Sequence, residues 1–385
     1  MTTSYAPKHV APHLRFRLRL VPRCFTRSLS ARIGPRRHLI SEGRTTEPKD
    51  SPLPNLPRRS PWYLDTGYSI FAKRQTRPFP PPFVSYPSGS FSDPLTTHNR
   101  PKYRHPKVGE ELLRGITNGD DAILIDGQNF LSVNDGVGAW AQKERGHAAL
   151  WSRLIAHYWA AEAERAYSAI RAADGANFLE LDNIDPVAYL DVAFNKTKEA
   201  TNAGQDNQIM GTTTASAALL HHRALDEPVV LATSLGDCVV MIVRPKEQNM
   251  VYKSQEDWHW FDCPRQLGTN SPDTPKEHSF IDKVDVNEGD LVLCLSDGVT
   301  DNLWEEEITE YTVDAMKKWN DKDPEAEDGI VYVARMLMDA AKEIALDPYA
   351  GSPYMSRAVD EGLAAEGGKL DDISVVIGVV RRHKD

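Results

Sequence analysis

Short apolar runs that end or begin at an aspartate constrain this chain more than any other feature. Runs of aliphatic and β-branched residues lie at 122–125, 130–134, 228–234, 290–295 and 373–380, as expected for buried β-strands. Each run has an Asp close to one of its ends, usually beside a Gly. A single Asp next to a Gly most often marks a turn, because Asp tolerates left-handed backbone and hydrogen-bonds its own main chain.

Together, these aspartates raise a second interpretation. If the strands converge, two like charges 4 Å apart repel by about 4 kcal/mol at an effective dielectric constant of 20. A cluster of carboxylates then requires bound cations or proton uptake. Oxygen ligands suit Mg²⁺ or Mn²⁺, and a pair of such ions is a recurring device for phosphoryl chemistry. The spacing alone leaves both a set of turns and a metal centre open.

The rest of the pattern predicts an α+β protein with antiparallel sheets, because strands and helices are grouped apart along the chain. A first strand is expected over 62–73, with a break at Gly67. Asp185 and Pro186 carry the signature of a helix N-terminus. Further strands are predicted at 212–220, 238–244 and 250–254, and helices at 147–165, 186–200, 305–318 and 329–346.

The charge distribution separates an N-terminal leader from the rest of the chain. Residues 1–41 hold nine Lys and Arg and no Asp or Glu, which is typical of a mitochondrial transit peptide. A disordered basic tail is the alternative. Residues 42–385 hold 36 basic and 55 acidic residues, and this acidity argues against nucleic acid as a partner. No apolar run of about 18 residues predicts a membrane span.

Proline and cysteine usage adds two expectations. Residues 42–100 contain 11 Pro, so we predict a disordered linker over 42–61 and a long surface loop over about 76–107. The four Cys are scattered without paired spacing, which argues against a disulfide framework or a thiolate zinc site.

Eight short segments follow one another along the chain, namely 119–122 (GDDA), 135–140 (DGVGAW), 211–215 (GTTTA), 235–237 (LGD), 289–293 (GDLVL), 296–303 (SDGVTDNL), 351–354 (GSPY) and 367–376 (GGKLDDISVV). In this order they resemble the motifs of the metal-dependent type 2C (PPM) serine/threonine protein phosphatases. The resemblance extends over about 62–385. More narrowly, the chain resembles a mitochondrial branch of this family that is well represented in fungi.

The resemblance implies a four-layer sandwich of two antiparallel β-sheets flanked by α-helices, with two Mg²⁺ or Mn²⁺ ions at one end. Asp135 would bridge the ions, the Gly136 carbonyl would bind one of them, and Asp120 would bind the second. Asp297 and Asp371 would complete the shell of the first ion, so that Asp135, Asp297 and Asp371 form the catalytic set.

The same resemblance implies further roles. Asp121 and Asp237 match positions associated with a weaker third ion, and Asp301 would orient waters. A metal-bound hydroxide would attack the phosphorus of phosphoserine or phosphothreonine in protein substrates. A monomer in the mitochondrial matrix is expected.

Four positions depart from the family pattern. Val137 stands where many members have His, and Ile116 stands where Arg often grips the substrate phosphate. Asp120 replaces a Glu, and Ala139 replaces a Gly. Three basic residues are candidates for the missing phosphate contact, namely Arg104, Lys107 and Arg114. The departures motivate a second hypothesis, a regulatory pseudophosphatase that binds a partner with little catalysis.

Overall fold

The computed structural model describes residues 29–31, 60–83, 106–174, 181–202, 208–224, 226–320 and 329–384. Most of the predicted leader (1–41), most of the proline-rich linker (42–61) and the centre of the predicted loop (76–107) lie outside the described residues, as does Arg104.

Two six-stranded antiparallel sheets form the centre of the molecule. In spatial order, the first sheet contains β1 (Leu29–Ala31), β2 (Trp62–Phe71), β18 (Ile373–Arg382), β17 (Leu291–Leu295), β11 (Val239–Arg244) and β12 (Asn249–Lys253). The second sheet contains β16 (Phe280–Asp285), β10 (Pro228–Leu235), β9 (Ala215–His222), β7 (Phe130–Asn134), β6 (Asp121–Asp126) and β5 (Ile116–Asn118).

Short two-stranded ribbons and seven helices complete the described part of the chain. The ribbons pair β3 (Lys107–Val108) with β4 (Glu111–Leu112), β13 (Trp258–Trp260) with β14 (Cys263–Pro264), and β15 (Leu267–Gly268) with β8 (Thr212–Thr213). The helices are α1 (Ala148–Asp174), α2 (Pro186–Thr201), α3 (Pro275–His278), α4 (Asp297–Thr300), α5 (Glu305–Asn320), α6 (Gly329–Leu346) and α7 (Pro353–Asp360). None of these helices combines the length and the apolar character that crossing a membrane requires.

Three apolar clusters show that the elements form four layers. One cluster lies between the sheets and includes Leu131 and Val376. A second packs α1 and α2 on the second sheet, and a third packs α5 and α6 on the first sheet. Alternate residues of each strand enter different clusters because successive side chains point to opposite faces. The structure therefore confirms the predicted α+β class, with helices flanking antiparallel sheets.

The predicted elements are present, but some of their bounds differ. Helix α1, predicted over 147–165, extends to Asp174, and the strand predicted over 212–220 is divided into β8 and β9. Two further details also differ. Strand β2 continues through Gly67 without a break. A Cβ at Gly67 would lie 2.8 Å from the Val331 nitrogen of α6, so this glycine permits close packing of helix on strand. Phe83, placed in a surface loop by the sequence, is 1% exposed and packs beside Leu113 and Leu150. The prolines before Phe83 predict an irregular backbone, and Phe83 anchors that backbone in the core.

Candidate metal and phosphate site

The strand ends that carry the aspartates all lie at one end of the sandwich. Antiparallel pairing places the start of β18 beside the ends of β2 and β17, and the start of β6 beside the end of β7. Asn118 joins the two sheets there, because its Nδ2 donates to the carbonyls of Phe71 and Ile373 at 3.1 and 2.9 Å. This end therefore holds all seven residues predicted for the metal centre, namely Asp120, Asp121, Asp135, Gly136, Asp237, Asp297 and Asp371.

Two neighbouring threonines, Thr213 and Thr214, hold the backbone around Asp135. The Asp135 N–H donates to Thr214 Oγ1 at 2.9 Å, and the Asp135 carbonyl accepts from Thr213 Oγ1 at 2.8 Å. A Cβ at Gly136 would lie 2.2 Å from the Asp120 carbonyl oxygen, so only glycine allows these two segments to meet. The Asp135 carboxylate thus projects from a rigid connection.

Burial and mutual repulsion shift the ionisation of this carboxylate cluster. Burial, followed by the charges of Asp297 and Asp371, raises the pKa of Asp135 well above its usual range. Burial and then the charge of Asp135 raise the pKa of Asp121. The pKa of Asp237 is raised by burial and then by the charge of Asp297. These carboxyls therefore resist ionisation unless positive charge is brought to them.

The donor chemistry of the cluster fits hard divalent cations. One oxygen each of Asp121, Asp237 and Asp297 is buried without a hydrogen-bond partner, and such an atom is costly unless a cation or proton meets it. Oxygen-only donors are the ligands that Mg²⁺ and Mn²⁺ prefer. As positioned, no three acidic, His or Cys side chains within the described residues already form a group that could hold an ion.

Basic side chains instead contact several of these carboxylates. Lys73 pairs with Asp371, and Arg74 pairs with Asp120. Lys369 Nζ lies 3.0 Å from Asp297 Oδ2. Burial acts to raise the pKa of Asp297, but Lys369 outweighs it and the pKa is lowered.

Sequence reasoning assigned no role to any of these basic residues. Lys73 and Arg74 directly follow the first apolar run, so a basic pair at the end of that strand was the available signal. Lys369 lies inside the last motif of the resemblance, but that motif was read only for its aspartates.

Sequence reasoning also missed Asp372, whose carboxylate fixes the backbone of two neighbouring loops. Its carboxylate accepts the backbone N–H of Lys73 at 2.8 Å and that of Asp120 at 2.9 Å. Gly119 has a φ of +63°, and a Cβ there would collide with the Asp372 carboxylate. Burial raises the pKa of Asp372 to about 6. The residue therefore positions Asp120 next to Lys73.

Asp301, expected to orient waters, is an ion-pair residue in the structure. It contacts Arg357, and its Oδ2 lies 2.7 Å from Lys369 Nζ. Burial raises its pKa to about 7 despite these cations. It follows α4 directly and shares Lys369 with Asp297.

Arg114, one candidate for the phosphate contact, lies at the wrong end of the sandwich. Its guanidinium pairs with Asp126 at 2.6 Å and Glu164 at 2.7 Å. Asp126 ends the strand that Asp121 begins, and five residues of strand span about 17 Å. Lys107 lies in β3. Arg74 is the better placed cation, because it also approaches the Gly138 carbonyl at 3.3 Å beside Asp120.

No protein-family model matches the chain, but curated proteins do. "Probable protein phosphatase 2C 80" of Arabidopsis thaliana is 32% identical over 266 residues, which cover 69% of this chain and 55% of that protein. "Protein phosphatase PTC7 homolog" of Homo sapiens is 28% identical over 293 residues, covering 71% of this chain and 83% of that protein. The chain thus spans about half of the Arabidopsis protein and most of the human one.

Two solved structures align with the chain at TM-scores below 0.5. The photosystem II phosphatase PBCP matches with a TM-score of 0.49 and 24% identity, over 68% of this chain and 92% of that one. The catalytic domain of the serine/threonine phosphatase PstP, in complex with two manganese ions, matches with a TM-score of 0.40 and 19% identity, over 69% of this chain and 94% of that one. The sequence relatives and the motifs establish that the chain belongs to the protein phosphatase 2C (PPM) family.

Proposed function

We propose that this chain hydrolyses phosphoserine and phosphothreonine in proteins, with two Mg²⁺ or Mn²⁺ ions as cofactors. One observation carries the proposal: the aspartates from distant parts of the chain meet at one end of the sandwich, where three buried carboxylate oxygens have no hydrogen-bond partner. Turn-forming aspartates alone do not explain this convergence, because turns at strand ends do not require their carboxylates to face one another.

Some residues of the cluster would bind the ions, and others fix the position of these ligands. Asp135 and the Gly136 carbonyl, with Asp297 and Asp371, would hold one ion, and Asp120 with Asp135 would hold the second. When bound, such ions lower the pKa of a water and neutralise charge on a phosphate. Thr213 and Thr214 fix the Asp135 backbone for this task.

Basic residues beside the carboxylates would bind the substrate phosphate. Arg74 is partly exposed, with 45% of its side chain accessible, and it lies against Asp120. A planar guanidinium can bind two phosphate oxygens at once. We therefore assign to Arg74 the phosphate contact that Ile116 cannot make, with Lys73 beside it.

Phosphate release from a phosphoserine peptide tests the proposal. We expect turnover with Mn²⁺ and loss of turnover with a chelator. Asp135→Asn and Asp297→Asn should each abolish release, whereas Asp360→Asn, at the exposed end of α7, should retain it. Full turnover in the two site variants, or turnover that needs no metal, would refute the mechanism.

A regulatory pseudophosphatase is the second candidate. Val137 and Ile116 remove two groups that the family often uses, and basic side chains contact the carboxylates that would bind metal. Such a module would bind Mn²⁺ weakly and hydrolyse no phosphopeptide, yet would still capture a partner. Titration calorimetry with Mn²⁺ and the turnover assay on the same preparation separate the two candidates.

We further propose that the protein acts in the mitochondrial matrix, as a monomer, and as part of the mitochondrial branch of the family. The support is the acid-free basic leader over 1–41. Residues 1–45 fused to a reporter should direct it to mitochondria, and the same segment with Arg15, Arg17 and Arg19 changed to Glu should not. Cytosolic retention of the first fusion contradicts the proposal.

A third, weaker ion is also proposed at Asp121 and Asp237. Both carboxylates are buried and each has one oxygen without a hydrogen-bond partner. Asp237→Asn should remove a weak phase from a Mn²⁺ titration and leave the two tighter phases. A titration without a weak phase in the unaltered protein contradicts the third site.

A further inference from the structure

An aromatic hairpin stands beside the carboxylate cluster. It comprises β13 and β14 with the turn between them, and Trp260 at its end is 68% exposed. Phe261 packs against Tyr354, with ring centroids 5.6 Å apart. We call Trp258, Trp260, Phe261 and Tyr354 the aromatic rim. Trp260 is the most exposed member of the rim, and apolar surface bordered by polar residues is typical of a binding site.

The aromatic rim is continuous with the proposed active site. Lys369 Nζ lies 2.8 Å from Asp262 Oδ1 in the hairpin turn and 3.0 Å from Asp297 Oδ2 in the cluster. These two carboxylate oxygens are therefore no more than about 6 Å apart, by the geometry of their shared contact. Lys369 also lies under the Tyr354 ring, 5.2 Å from its centroid. A peptide whose phosphate reaches Asp297 must pass over this hairpin or its neighbours.

Contacts with the buried Asp273 support the hairpin. The buried Asp273 carboxylate accepts from Arg265 Nη1 at 2.9 Å and from the Gln266 N–H at 2.9 Å, and it pairs with His259 at 2.8 Å. The following strand, β15, pairs with β8, whose Thr213 holds the Asp135 carbonyl. Binding on a rigid surface loses little conformational entropy, so the rim is preorganised for a ligand.

The charges of the hairpin are already neutralised by partners within the molecule. Asp262 pairs with Lys369, and Asp257 accepts from Arg265 Nε at 2.6 Å. The accessible feature that remains is therefore the tryptophan ring. This arrangement favours an apolar side chain over a basic one as the occupant of the rim.

We propose that the aromatic rim binds a large apolar side chain of the substrate, two or three residues from the phosphorylated one. An extended peptide advances about 3.3–3.6 Å per residue, so two or three residues carry it about 7–11 Å, past Asp262 and onto the hairpin. The inference rests on the proposed function, and it adds a sequence preference to it. Trp is among the residues that most often dominate binding energy at interfaces.

The test compares two phosphoserine peptides that differ at one position. One carries Leu two or three residues from the phosphoserine, the other Gly, and each is assayed with the Mn²⁺-loaded full chain. We expect kcat/KM to favour the Leu peptide about tenfold, mainly through KM, which corresponds to about 1.4 kcal/mol. Trp260→Ala should reduce that preference to about twofold. Tyr311→Ala removes an equally aromatic, exposed side chain from the outer helix α5 and should keep it.

The outcomes separate this inference from the proposed function. If p-nitrophenyl phosphate and both peptides are left intact, the proposed function fails. If both peptides are hydrolysed with equal kcat/KM, or if Trp260→Ala keeps the full preference, the rim has no such role. A third peptide carries Lys at the same position. If it is preferred over the Leu peptide, the assignment of an apolar occupant is overturned. Circular dichroism confirms that the variant is folded.

Discussion

Replacing Asp135 by Asn should stabilise the metal-free protein while destroying its proposed activity. Asp135 lies between Asp297 and Asp371, and burial together with their charges raises its pKa well above the usual range. At an effective dielectric constant of 20, one like-charge pair 4 Å apart costs about 4 kcal/mol, and Lys73 offsets part of this repulsion. The substitution removes this repulsion, so we expect the variant to gain free energy of unfolding at pH 7, by at most about 4 kcal/mol for each like-charge pair removed.

The sign of the effect depends on pH and on metal. A raised pKa means that the folded state holds the proton longer, so the stability it contributes is complete below about pH 4 and is lost as pH rises through the raised value. The difference between the variant and the unaltered protein should accordingly grow from pH 4 to pH 7. Bound metal acts in the opposite direction, because a ligand present at 100 times its Kd stabilises the folded state of the unaltered protein by about 2.7 kcal/mol.

Urea denaturation measures this prediction, with EDTA and with Mn²⁺, for the unaltered protein and for Asp135→Asn. Asp360→Asn, which removes an exposed charge at the end of α7, is the control and should change the free energy of unfolding by no more than about 0.5 kcal/mol. The argument fails if Asp135→Asn is no more stable than the unaltered protein in EDTA. It also fails if Mn²⁺ stabilises both proteins equally.

Three further changes test the fold around the site. Gly67→Val should lower the free energy of unfolding by at least about 1–3 kcal/mol, since its side chain would press on the α6 backbone, whereas the exposed Val192→Ala should have little effect in the same urea experiment. Asn118→Ala leaves the Phe71 and Ile373 carbonyls without their donor and should cost about 1–3 kcal/mol; equal denaturation midpoints would contradict this. Cys294 is fully buried, and burial raises the pKa of its thiol to about 12, so iodoacetamide should leave it unmodified in native protein and modify it in urea, as peptide mass mapping would show.

Local patterns predicted most of the secondary structure. The helix over 186–201 begins where Asp185 and Pro186 indicated, and the Asp185 side chain accepts from the Ala188 N–H at 2.9 Å. The helix over 329–346 has the predicted bounds. These features depend on contacts between residues close in sequence, so the sequence displays them directly. The expectation of a break at Gly67 was wrong because the reason for that glycine lies in α6, more than 250 residues away.

The sequence by itself determined where most of the longer strands lie and that five apolar runs have an aspartate close to one end, because both follow from short-range periodicity and turn chemistry. Only the tertiary structure decided that these aspartates face one another. The sheet order places β2, near the start of the described chain, beside β18 at its end, and this pairing brings Lys73 to Asp371 and Asp372. Arg114, which the sequence could not distinguish from a site residue, pairs with Asp126 at the far end of β6. Arg74, just after β2, contacts Asp120 in the cluster instead. Long-range strand pairing therefore gathers aspartates that are far apart in sequence into one cluster, and a metal ion can neutralise its negative charge.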